Sequence, residues 1–420
     1  MWIRLLYSVS LALAAPFLLF SLYKKKPGKP TFGKRWREHW GRTPKVEAKA
    51  PIWIHAVSVG ESMAAIPLIQ AIKKSHPNQA ILVTTTTSTG AKQVEKLGDD
   101  VIHRYMPLDF SWCVRGFLRA VKPSQMLIIE TELWPNTLFE VDKAGIPITV
   151  VNARLSERSC LRYQKFQLVF SSIAQHVSKF LCQYSSDADR FLRLGVENSK
   201  LHVTGSMKFD VNISKQSIQK GQELRKKLGN ARPVWLAAST HEGEDEILLQ
   251  AHNQLLKALP NAVLIVVPRH PERFDDVFKT IDKMGFKVVR RTSSSNWLKS
   301  DQVYLADTMG EMLLLLSAAD LCFVGGSLLG EKVGGHNPLE PAALGLPILT
   351  GPSYYNFEEI NKLLISHSGV SVCDTDKNIA NAALKLFGNP SIRENIGQSN
   401  KKFVMENSGS INKILDIVIN

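Results

Sequence analysis

From Pro51 onward, short apolar runs alternate with stretches of helical periodicity, the pattern of parallel sheets covered on both faces by helices. The first series of predicted strands is Ile52–Val57, Ala80–Thr85, Met126–Ile129, Ile146–Val151 and Phe180–Gln183. The second is Val234–Ala238, Ala262–Val267, Lys287–Arg290, Gln302–Leu305, Leu321–Val324 and Pro347–Leu349. Residues 206–231 between them are polar and helical in character, which suits a connection between domains. The expectation is an α/β chain of two doubly wound domains, 51–205 and 232–420. The ligand cleft is expected along the carboxyl ends of both sheets, where such folds bind their ligands.

A different pattern precedes these. Residues 1–23 are apolar with Arg4 as the only charge, and Lys24-Lys25-Lys26 follow directly. That length just spans a bilayer, and positive residues behind the apolar run place everything downstream in the cytoplasm. The expectation is an inner-membrane anchor at 1–23 and a basic juxtamembrane linker at 24–50. Ser21 and Leu22 lack the small-residue pattern of a cleaved signal peptide. Shallow insertion is the alternative, since Pro16 interrupts the helix. Trp36, Trp40, Lys34, Arg35 and Arg37 would then rest on anionic headgroups.

Length and composition agree with this division. The chain has 420 residues, 44% apolar and 21% charged, enough for two ordinary cores. Of the formal charge of +14, residues 1–50 carry +9, from eleven Lys/Arg against Glu38 and Glu47, which leaves +5 for the rest. A globular part so nearly balanced, with no module of basic residues and stacking aromatics, excludes a nucleic-acid partner. The five cysteines are odd in number and form no CxxC pair, so they read as buried thiols in a reducing compartment.

Candidate chemistry clusters at the predicted strand ends. Val324-Gly325-Gly326-Ser327, then Gly334-Gly335-His336-Asn337-Pro338-Leu339-Glu340, joins a strand to a helix start. Such a junction offers backbone amides and a helix dipole to a phosphate, and Glu340 one turn inside accepts from a ribose diol. The alternative is that the glycine pairs only let the loop turn tightly. Glu61, behind Ser58-Val59-Gly60, is either a base facing the cleft or an ordinary first-turn acid. Ala56 stands where a nucleophile elbow needs glycine, which argues against a hydrolase built on Ser58. Glu130 and Glu132 project to one side of an extended chain and suit substrate binding, a salt bridge or, third, a metal. Lys208 meets a phosphate or carboxylate, or is solvated.

In the second half, Pro268-Arg269-His270-Pro271-Glu272-Arg273 concentrates positive charge, with Arg269 best suited to fork onto a phosphate. Asp307-Thr308-Met309-Gly310-Glu311 either lies beneath a base, with backbone contacts at Met309 and Gly310, or is a capped helix start. His241-Glu242-Gly243-Glu244 fails the zinc-protease spacing at Asp245. The Asp187-Ala188-Asp189 and Asp374-Thr375-Asp376 pairs read as caps or turns. No Walker loop or GxGxxG occurs, which removes kinase and dehydrogenase readings.

Taken in order, His55–Glu61, Glu130–Asn136, Asn152–Ser156, Ser239–Gly243, Pro268–Arg273 and Gly335–Glu340 resemble the lipopolysaccharide Kdo transferases, Kdo being 3-deoxy-D-manno-octulosonic acid. The resemblance covers nearly the whole chain. It implies a GT-B glycosyltransferase of two Rossmann-like domains with an interdomain cleft and an N-terminal membrane anchor. It also implies inverting transfer of Kdo from CMP-Kdo to the tetraacyl lipid A precursor on the cytoplasmic face of the inner membrane, with no metal or other cofactor. By the same resemblance Glu61 is the general base, and Glu130 and Lys208 are transition-state residues. Pro268, Arg269, Met309, Gly310, Glu311, Asn337, Pro338, Leu339 and Glu340 match CMP-binding positions. The loop 328–333 departs from the family form in being slightly longer. Two competing readings remain: another nucleotide-sugar enzyme, such as a hexosyltransferase or epimerase, and a membrane-tethered nucleotide sensor. Thermal stabilisation by CMP against UDP separates the first of these.

Overall fold

The computed structural model of the chain describes residues 2–24, 30–294 and 296–419, so Lys25 and Lys26 of the basic cluster lie outside the described residues. Two compact units form: Met1–Asp210 with Ser408–Asn420, and Val211–Asn407. The first holds strands β1 (Ile52–His55), β2 (Ile81–Thr85), β3 (Ile102–Tyr105), β4 (Gln125–Ile129), β5 (Ile148–Ala153), β6 (Lys179–Cys182) and β7 (Leu201–Val203). Its sheet order is β3-β2-β1-β4-β5-β6-β7, with parallel pairing throughout. The second unit holds β8 (Val234–Thr240), β9 (Val263–Pro268), β10 (Val288–Arg290), β11 (Val303–Leu305), β12 (Leu321–Val324), β13 (Ile348–Thr350) and β14 (Val370–Val372). Its order is β10-β11-β9-β8-β12-β13-β14, again parallel.

Central strands are buried on both faces and therefore read as unbroken apolar runs. In the first unit one face packs Trp53, Phe117, Phe180 and Phe191, and the other packs Ile54, Leu68, Ile69 and Ile72. In the second, Trp235, Leu264 and Phe323 meet Leu249, Leu255 and Ile379. The chain's first five α-helices are α1 (Trp2–Tyr23), α2 (Val59–Ser75), α3 (Ser88–Glu95), α4 (Ser111–Val121) and α5 (Pro135–Lys143), all in the first unit. All five cysteines are free and buried.

Four expectations are corrected here. Helix α1 runs unbroken through Pro16. Within the expected 24–50 linker, residues 33–40 form a 3₁₀ helix packed on β3. There Arg35 donates to Glu38 at 2.8 Å, and the Glu38 carboxylate accepts from the Tyr105 amide at 2.7 Å, so Arg35 has a partner inside the unit. Residues 206–231 are not a separate connection, because the helix Lys215–Leu228 belongs to the second unit. A Cβ on Gly221 would come within 2.4 Å of Ser317 Cβ, so this helix packs directly on the helix Met312–Leu316. Finally, the C-terminal helix Ser410–Val418 lies in the first unit, not the second. Asp210 accepts from the Gly409 and Ile411 amides, Ser410 donates to the Gly205 carbonyl at 2.9 Å, and Ile411 and Ile414 join the core beside α2.

Candidate functional site

In the first unit the site begins at the turn from β1 into α2. Ser58 caps α2 by accepting from the Glu61 amide at 3.2 Å. The Glu61 carboxylate accepts in return from the Val57 amide at 2.6 Å and from the Ser58 hydroxyl at 3.1 Å. Half-buried, its pKa is raised above the usual glutamate value, chiefly by burial and further by the nearby Glu130 and Glu132 charges, against the two hydrogen bonds. Glu61 is thus both cap and perturbed acid, so the two readings of this residue are not exclusive.

Glu130 departs from expectation. It follows the end of β4 with φ of 62°, so it and Glu132 do not share one side of an extended strand. Two further non-glycine residues at strand ends are left-handed: Asn152 in β5 (φ 58°) and Ser239 in β8 (φ 57°). Backbone of this kind is uncommon and gathers at functional sites. Asn152, fully buried, accepts from the Met207 amide at 3.2 Å and so fixes the short 3₁₀ turn Met207–Phe209 that carries Lys208. Met207 and Phe209 are buried, which leaves Lys208 as the partly exposed residue of that turn. Among the described residues Asn152 Nδ2, Ser206 Oγ and His55 Nε2 are buried polar atoms with no partner.

The second unit corrects the phosphate reading of the glycine loop. The Glu244 carboxylate, 0% exposed, accepts from the Gly326 amide at 2.6 Å, Ser327 at 2.9 Å, Leu328 at 3.0 Å and His241 at 3.0 Å. An internal carboxylate already fills the anion position that these amides were expected to offer a ligand. Gly335 and His336 donate to the Gly326 and Gly325 carbonyls, so those amides are committed too. The helix that follows, Leu339–Ala343, is a single short turn, and the Asn337 side chain just before its start accepts from the Leu339 amide at 2.9 Å. Its dipole contribution is correspondingly small.

What remains for a ligand are side chains. Arg269, just past β9, is exposed, its side chain without a partner among the described residues, and it is held by its amide to the Thr240 carbonyl at 3.0 Å. Arg273, by contrast, is tied to the buried Asp245 and to the Thr240 carbonyl. Among the described residues no donor meets the Glu340 carboxylate, and burial raises its pKa. Three imidazoles gather beside Arg269, two of them bonded Nε2 to Nε2 at 2.8 Å: His241 and His336, with rings nearly coplanar. His270 stands edge-on to His241 at 5.3 Å. Burial, then the neighbouring imidazole and the arginine, lowers the His336 pKa to about 4. A Cβ on Gly326, which has φ of 71°, would lie 3.0 Å from the His336 ring, so the pair requires glycine there.

Met309 is exposed and Gly310 is left-handed, an open turn. Glu311 is engaged: Arg291 donates to both its oxygens, at 2.5 and 2.7 Å, and lowers its pKa. Sequence reasoning missed the roles of Glu244, Asn152 and the histidine pair. Asp187 is the expected cap, accepting from the Tyr184 and Leu155 amides. Among the described residues no group of three or more His, Cys, Asp or Glu side chains is arranged to hold a metal ion.

Residues 34–211 match the family model described as 3-Deoxy-D-manno-octulosonic-acid transferase (kdotransferase). The 3-deoxy-D-manno-octulosonic acid transferase of Haemophilus influenzae is 37% identical to this chain, with 100% of this chain and 98% of that one aligned. That of Bordetella pertussis is 32% identical over 87% of this chain and 86% of its own length. A solved glycosyltransferase from Rickettsia africae, 13% identical, superposes with a TM-score of 0.56 over 88% of this chain and 98% of that one, a likeness of fold alone.

Proposed function

The chain belongs to the 3-deoxy-D-manno-octulosonic acid transferases, and from that premise we propose that it carries Kdo from CMP-Kdo to a hydroxyl of the tetraacyl lipid A precursor, with inversion and without a metal. It is a glycosyltransferase of GT-B fold. The observation that carries the finer reading is Glu61: a half-buried carboxylate with raised pKa, beside a second carboxylate on strained backbone.

In this mechanism Glu61 takes the proton of the acceptor hydroxyl as its oxygen bonds to the anomeric carbon. The bond from that carbon to the phosphate oxygen breaks, and CMP leaves with the electron pair. The leaving group is already good, so the protein's task is to bind it and stabilise the phosphate charge. Arg269 serves that task with an exposed guanidinium, in place of a divalent ion. Glu130 and Lys208 act on the developing charge at the sugar. The Glu340 carboxylate, which meets no donor among the described residues, accepts from the ribose diol. The Glu311 and Asn337 side chains are engaged within the protein, so they meet the nucleotide through their backbone, together with Met309, Gly310, Pro268, Pro338 and Leu339. The protein works at the cytoplasmic face of the inner membrane, held by α1.

Incubation with CMP-Kdo and the tetraacyl precursor, followed by mass analysis, tests the reading and counts the sugars added. Stabilisation by UDP but not CMP, with no mass gain, would overturn it.

A further inference from the structure

Helix α1 gathers most of its polar side chains along one line, with Ser10 exposed on the other face. Arg4, Tyr7 and Ser8 share a face by their i, i+3, i+4 spacing, and all three meet polar groups of the first unit. Arg4 Nε donates to Asn136 Oδ1 at 3.2 Å, and its guanidinium carbon sits 3.2 Å from the centre of the Phe139 ring. Arg4 also pairs at 3.9 Å with Glu140, a carboxylate only 4% exposed. Ser8 Oγ accepts from Asn136 Nδ2 at 3.0 Å, and the Tyr7 hydroxyl bonds to the buried Asp109. At the far end the Tyr23 hydroxyl meets His39 Nδ1 at 2.9 Å, and its ring packs edge-on against Phe32. Leu11, Ala15, Leu19 and Leu22 continue the less exposed line between the two ends.

From Arg4 to Tyr23 the helix rises about 29 Å, close to the roughly 30 Å of a bilayer's hydrocarbon core. A crossing helix would put its two ends on opposite sides of the membrane. Here both ends are fixed to one unit. The opposite face is a mostly apolar row, with Leu6 67%, Leu13 74%, Phe17 80% and Phe20 70% exposed, interrupted by the exposed Ser10. Lys24 and the half-exposed Trp36 line one apolar cavity of about 670 Å³ with Leu19, Leu22 and Tyr23, so a cation and an amphipathic ring stand at the end of that row. Such a row, flanked by aromatic rings and cations, fits an anionic lipid surface.

We propose that α1 lies in the plane of the membrane, its row of Leu6, Leu13, Phe17 and Phe20 among the acyl chains and its polar line clamped to the first unit, and does not cross the bilayer. The inference rests on the membrane reading above and fixes its geometry. Its test uses the full chain with Ser8→Cys and Asn136→Cys, reconstituted in vesicles of phosphatidylethanolamine and phosphatidylglycerol and treated with a short bifunctional thiol reagent. The native thiols are buried, so the engineered pair alone responds. The link should form within one chain, in a yield within about twofold of that in detergent. A drop of about tenfold in vesicles means that α1 leaves the unit to cross, and overturns the proposal. A link between two chains gives the apolar row to a second copy and overturns it as well. Arg4→Cys with Phe139→Cys repeats the test with Asn136 and its bonds to Asp109 intact. Kdo transfer is read on the same vesicles: lost transfer with an intact link counts against the functional reading alone, and a lost link with intact transfer counts against this one.

Discussion

Replacing Glu61 by glutamine separates its two roles. The carboxylate accepts one hydrogen bond from the Val57 amide and one from the Ser58 hydroxyl. Glutamine keeps a carbonyl oxygen for the Val57 amide, and its NH₂ can face a Ser58 hydroxyl turned to accept. Ser58 still accepts from the residue 61 amide, so the cap survives. The structural loss is then about 0.5–1 kcal/mol, a fall in Tm of roughly 1–4 °C for a unit of this size. Removal of a positioned base costs far more, on the order of 10²–10⁴-fold in rate, or about 2.7–5.4 kcal/mol of transition-state stabilisation. The assay is kcat/KM for Kdo transfer alongside thermal unfolding. The native enzyme must have Glu61 ionised, and its raised pKa means that activity falls on acidification above the usual glutamate range. The glutamine variant should lose that acidic limb. A rate within tenfold of native, with the limb retained, would refute the base and leave Glu61 a cap.

Three further outcomes follow from the geometry. Arg269→Ala should weaken CMP binding by roughly tenfold or more with little change in Tm, measured by calorimetry and melting, because its side chain has no partner among the described residues; unchanged CMP affinity removes it from the donor site. Glu244→Gln should destabilise the second unit by about 2–3 kcal/mol, since an amide cannot satisfy four amide donors; an unchanged urea midpoint contradicts this. His252, fully buried between Trp235 and the Gln302 carbonyl, has its pKa lowered to about 3 by burial. A depressed histidine contributes stability above its unfolded pKa near 6.5, and the contribution declines as pH falls towards the folded value. Between pH 6.5 and 5 the loss is about 2 kcal/mol, so denaturant titrations at the two pH values should show a shallower slope for His252→Gln than for the native chain; equal slopes refute it.

Much of the sheet was legible because central strands bury both faces and must be apolar. The three strands not foreseen, β3, β7 and β14, all lie at sheet edges, where one side faces water. β3 even carries His103 and Arg104, whose acceptability depends on the Glu38 segment that covers it. The glycine loop was legible as an anion cradle, but not as one already filled. The cradle's occupant, Glu244, stands eighty-two residues before Gly326 in sequence, and nothing in local spacing marks it apart from an ordinary helix-start acid. Asn152 was hidden for a related reason, since its left-handed backbone is a property of the bulge where β5 meets β6. The return of helix Ser410–Val418 to the first sheet was likewise invisible, because an amphipathic helix specifies a greasy partner but not which one.

That return has a consequence for how the protein is made. The second unit is one uninterrupted stretch of chain and can close as soon as residue 407 leaves the ribosome. The first, begun hundreds of residues earlier, must wait for the helix Ser410–Val418, whose Ile411 and Ile414 complete one of its core clusters. A nascent chain halted with only residues up to 407 released should therefore carry a native second unit beside a first unit that still lacks the helix Ser410–Val418.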